Sequence, residues 1–94
     1  MASKRLLKKD INSMVDELIT DSLHYLKVNP EKADKEVAEI ISNALILRNE
    51  LIGKINNAYK EKDRKKIKEI FNSVIFSLID KIDEGYTQLS KLPR

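Results

Sequence analysis

Cysteine is absent from this 94-residue chain, which excludes disulfides, thiolate metal sites and cysteine nucleophiles. Such a chain must hold its fold by packing alone. Glycine and proline occur only twice each. An all-β protein needs turn residues every ~8–12 positions, so this scarcity argues against strands. With many Ile and Leu residues beside it, the same scarcity argues against disorder. No stretch approaches the ~18 continuous apolar residues of a membrane span. The basic segment 1–10 has no apolar run of ~7–15 residues behind it, as a secretory signal would. A cytoplasmic location with no membrane partner is therefore the expectation. The length fits a single domain, and 41% apolar against 35% charged residues suits thin, elongated helical packing with much exposed surface.

What the sequence does contain is helical periodicity. Leu7, Ile11, Met14, Val15, Leu18, Ser22, Tyr25 and Leu26 recur in steps of three and four, predicting a helix over about 4–28. Pro30 disfavours the helical conformation at Asn29 and ends it, and the Asn29-Pro30 pair can also restart the chain as N-cap and first helical residue. A second stripe, Val37, Ile40, Ile41, Ala44, Leu47, Leu51, Ile55 and Ala58, predicts a helix that starts at about Asp34, or at Pro30, and runs to Tyr59, about 31–59 at its longest. Gly53 lies inside it at a cost of about 1 kcal/mol relative to alanine, and a close helix approach is one account of it. Asp63 is placed to cap a third helix over about 63–91, whose stripe runs Ile67, Ile70, Phe71, Val74, Leu78, Ile82, Gly85, Tyr86 and Leu89. Long helices of matched length with short connections favour antiparallel neighbours. The predicted fold is all-α, an up-down-up three-helix bundle, with Leu18, Leu51 and Val74 in its core.

Apolar residues also fall off these stripes: Ile19, Leu23, Ile46, Ile52, Ile75, Phe76 and Ile79. Some widen the buried faces, as bundle helices require, and the remainder are candidates for a dimer surface.

Catalytic chemistry is hard to assemble from what remains. His24, the one histidine, stands a helical turn from Asp21, but a di-metal bundle needs a second such carboxylate–histidine pair and further glutamates. His24 therefore reads as a surface or boundary residue. Carboxylate pairs such as Glu17 with Asp21, or Asp80 with Glu84, read as solvated positions on charge-rich helices. No phosphate-cradling glycine loop, nucleophile elbow or metal-ligand spacing is present. No catalytic residue, cofactor or metal is expected, and the chain is read as a non-enzyme.

Charge placement is the non-random feature. In an up-down-up bundle the start of the first helix and the turn before the third share one end. Lys4, Arg5, Lys8, Lys9, Lys60, Lys62, Arg64, Lys65, Lys66 and Lys68 gather there against four acidic residues, leaving +6, while the other eight basic and eleven acidic residues leave −3. Lysines at helix N-termini oppose the helix dipole at ~0.3–1 kcal/mol each before screening, so stability does not account for them. Lys8, Lys9, Arg64, Lys65, Lys66 and Lys68 are the candidate contacts to an anion or nucleic acid, although aromatic residues that would stack on bases do not interleave with them.

The opening Lys4-Arg5-Leu6-Leu7-Lys8-Lys9-Asp10-Ile11-Asn12, the Asn29-Pro30 break and the two long amphipathic helices that follow resemble a group of small helical-bundle proteins of Bacteroidetes-type bacteria. The resemblance implies a helical fold of three or four elements and a cytoplasmic location, and brings no activity or ligand with it. The function expected is non-enzymatic interaction through a helical face, with a protein partner or as a homodimer. The alternative is a nucleic-acid-associated accessory protein that uses the basic end.

Overall fold

A computed structural model describes residues 4–29, 31 and 33–93. Three helices follow one another, α1 (Lys4–Val28), α2 (Asp34–Ala58) and α3 (Arg64–Ser90), with no strand among the described residues. Each helix packs against the others, α2 most extensively because it lies against both neighbours, and α1 meets α3 over the least surface. The bundle is a rod of 50 × 19 × 17 Å. Helices of 25–27 residues explain the length, since each rises ~1.5 Å per residue.

The stripes read from the sequence form the core. Ile11, Val15, Val37, Ile55, Ala58 and Val74 are wholly buried, with Leu18 and Leu51 at 2% and 1% exposure. Ser22 shares that interior because its Oγ donates to the Leu18 carbonyl oxygen at 2.8 Å, which satisfies the hydroxyl within its own helix. Tyr25, Ala33 and Val37 form a second, smaller core at the other end, with Leu26, Ile41, Leu89 and Leu92 against it. The Tyr25 hydroxyl donates to the Pro93 carbonyl, fastening the C-terminal segment onto α1.

The connections follow local chemistry. After α1, the Asn29 N–H and its side-chain Nδ2 both donate to the Tyr25 carbonyl, at 2.8 and 3.2 Å, so Asn29 closes α1 and does not cap α2. Glu31 takes φ 65°, a left-handed conformation outside any helix. Ala33 is the N-cap residue of α2 and offers no side-chain bond. The second helix therefore starts at Asp34, the later of the two starts that the sequence offers, and the role expected of Pro30 lies outside the described residues. Its first turn carries Asp34 and Glu36, which the positive end of the helix dipole favours. Between α2 and α3, the Glu61 Oε1 accepts from the N–H groups of Lys62 and Asp63, and the Asp63 Oδ1 accepts from Lys65 N–H at 2.9 Å. Asp63 is the cap that the sequence predicts, one residue ahead of the helix.

The glycines reverse one expectation. A Cβ on Gly53 would meet nothing within 4 Å, so no close approach explains that glycine. The close approach is at Gly85, where a Cβ would stand 2.6 Å from Leu18 Cδ2. Leu18 fills the space that a side chain at position 85 would need.

Candidate functional site

The basic end is assembled by the bundle as the sequence predicts. Lys4 Nζ lies 3.6 Å from the centre of the Tyr59 ring and Lys8 Nζ 5.3 Å from it, which brings the start of α1 to the turn after α2. These are cation–π contacts, and they hold both ammonium groups against the one phenol ring. Lys8 is half-buried by this arrangement, while Lys9, Arg64, Lys65, Lys66 and Lys68 are exposed. The single ion pair among the described residues, Lys81 with Glu84 at 3.4 Å, lies elsewhere on α3. The positive charge at this end therefore has no carboxylate paired with it. It does not form one face, because consecutive Arg64, Lys65 and Lys66 point in successive directions around α3. Lys65 and Lys68, three apart, share a side of the helix.

A second feature lies further along α3. Phe76 is 74% exposed, Ile79 58% and Ile75 36%. Residues three and four apart are neighbours on a helix surface, so these side chains form one apolar patch. The exposed large apolar residues Leu23, Val28 and Ile46 of α1 and α2 each stand without an exposed apolar neighbour at that spacing among the described residues. Of the off-stripe residues singled out in the sequence, Ile19 and Ile52 pack against the core, whereas Leu23, Ile46, Ile75, Phe76 and Ile79 do not.

Two depressions mark the opposite half of the rod. One, of about 520 Å³, lies between the ends of α1 and α3 and is lined by Asp21, His24, Tyr25, Tyr86 and Leu89, among others. At its edge Tyr86 OH donates to Asp21 Oδ2 at 2.9 Å. Partial burial, that hydrogen bond and the negative charges of Asp21 and Glu17 push the Tyr86 phenol up to about 12, so it is a committed donor at neutral pH. His24 is exposed on the same rim, and its side chain makes no hydrogen bond among the described residues. The other depression, about 220 Å³, runs between α2 and α3 beside Gly85, with Lys81 and Glu84 on its margin. No group of three or more His, Asp or Glu side chains among the described residues is placed to hold a metal ion. No described helix is long and apolar enough to cross a membrane.

Comparison of the chain with known protein families, with characterised proteins and with solved structures finds no match.

Proposed function

We propose that this chain is a non-enzymatic interaction protein of the cytoplasm that binds a protein partner through the outer face of α3. The supporting observation is Phe76, 74% exposed between Ile75 and Ile79. Burying a phenylalanine side chain is worth ~1.5–3 kcal/mol, and three clustered apolar side chains forgo much of that gain while they face water. The cytoplasmic setting follows the resemblance to the Bacteroidetes-type helical bundles. A photo-crosslinking amino acid in place of Phe76, activated in the source cells, should give a discrete protein adduct that the same group at Asn43, an exposed position on α2, does not give. Equal labelling at both positions, or none at position 76, would overturn the reading.

A second reading uses the basic end. Lys9, Arg64, Lys65, Lys66 and Lys68 are exposed and have no ion-pair partner among the described residues, which favours contact with a polyanion such as nucleic acid.

A further inference from the structure

We infer that the partner at the outer face of α3 is a second copy of this chain, packed antiparallel about a two-fold axis that passes between residues 75 and 76. The inference rests on the interaction reading above and adds the identity and geometry of the partner. It comes from the order of residues along one side of α3. Starting at Lys65 and stepping by three or four, that side presents Lys68, Asn72, the Ile75–Phe76 pair, Ile79 and Asp83, and ends at Tyr86. All are exposed except Tyr86, which is half-buried.

This order is symmetric in position and antisymmetric in charge. Lys68 and Asp83 stand equally far from the midpoint between residues 75 and 76, ~11 Å along the axis at ~1.5 Å per residue. A two-fold there places Lys68 of one copy opposite Asp83 of the other, and does so twice. Asn72 falls opposite Ile79, and Phe76 opposite Ile75, which puts the most exposed aromatic ring at the centre. Lys65 falls opposite Tyr86, whose hydroxyl already holds the Asp21 carboxylate at 2.9 Å, so a third charge of the required sign waits at that level. An isologous interface demands this self-complementarity of a single patch. Apolar groups occupy its centre and charged groups its rim, the arrangement of protein interfaces generally. A parallel pairing of the same face sets Lys68 against Lys68 and Asp83 against Asp83, and is opposed by like charges.

The same pattern accounts for Lys65 and Lys68 near the start of α3, where the helix dipole disfavours them. These two face carboxylates of the second copy instead of serving their own helix.

Sedimentation equilibrium of the purified chain tests this. The 10.9 kDa monomer should move toward twice that mass as concentration rises to ~500 µM, the weak range expected of a small interface. Lys68→Glu alone and Asp83→Lys alone each bring like charges together at both ends of the interface, and each should weaken association roughly tenfold. An equimolar mixture of the two variants pairs opposite charges at both ends and should form a heterodimer at wild-type strength. Neither variant alters a core residue, and retained helical circular dichroism would verify that both fold. A wild-type chain that stays at 10.9 kDa up to ~500 µM overturns the inference, as does a dimer indifferent to either reversal or a mixture that stays monomeric. Should the chain be monomeric while position 76 still cross-links to a different protein, self-association falls and the interaction reading stands. If position 76 gives no adduct, both fall.

Discussion

Gly53 and Gly85 both occupy helix interiors, where glycine costs about 1 kcal/mol relative to alanine, yet their surroundings are unlike. Space around Gly53 is open, so Gly53→Ala should raise stability by about 0.5–1 kcal/mol in urea unfolding. Gly85 lies against Leu18, which is 2% exposed and has little freedom to move, so Gly85→Ala must displace a packed side chain and should fall short of the Gly53→Ala gain. Equal gains at the two positions would show that Leu18 repacks without cost. Periodicity placed Gly85 on the core face of its helix, but distances between helices are not written in a single stripe, and so the close approach was expected at the wrong glycine. The exposure of His24 was readable for a simpler reason, since it falls off the apolar stripe of its helix.

At the scale of the element, α2 carries the bundle, because it packs more extensively against the other two helices than they do against each other. Leu51 is 1% exposed at its middle, so Leu51→Ala should cost ~2–5 kcal/mol, and a loss below ~1 kcal/mol in denaturant unfolding would show that the contacts of α2 are loose. The helices themselves were legible because burial of one face imposes a spacing of three and four on the chain, and that spacing survives in any reading of residue types. The end of α3 nearest the turn was legible too, since Asp63 caps by a local side-chain bond. The start of α2 was legible only as a choice between Asp34 and Pro30. Asn29 turns back to bond the Tyr25 carbonyl, Glu31 adopts φ 65° with a side chain that gives no hint of it, and Ala33 caps without a side-chain bond. Those choices are settled by how α2 must approach α1, a tertiary matter. Which off-stripe apolar residues stay uncovered has the same origin. Phe76 lies opposite its stripe and was legible as outward-facing, but Ile52 and Ile79 both stand about a quarter turn off theirs, and only the placement of neighbouring helices leaves one against the core and the other in water.

The whole molecule is a rod 50 Å long with its charge gathered at one end, +6 there and −3 over the remainder. Fields of this kind raise the local concentration of anions near the charged end. If the basic end is a polyanion site, heparin or duplex DNA should be retained at ~50 mM salt and released by ~200 mM, as several phosphate contacts lose orders of magnitude in affinity over that range. Replacing Lys65 and Lys66 together with glutamate should abolish retention, and replacing Lys35, in the first turn of α2 at the far end, should not. Lys32, the other basic residue expected near that far end, lies outside the described residues. Lys66 is off the symmetric side of α3, so Lys66→Glu alone should weaken retention and leave the sedimentation behaviour unchanged. No retention by the wild-type chain at the lower salt would remove the polyanion reading.

Segregated charge also gives the single chain a large electric moment along its length, one that would turn it in an external field. Two copies laid head to tail about a two-fold have moments that cancel along the rod, which leaves the pair only the undirected pull of its net positive charge. A lone chain therefore meets a distant polyanion end-first, whereas a pair has no preferred end. Self-association and oriented capture draw on the same separation of charge, so a chain that pairs gives up its orientation.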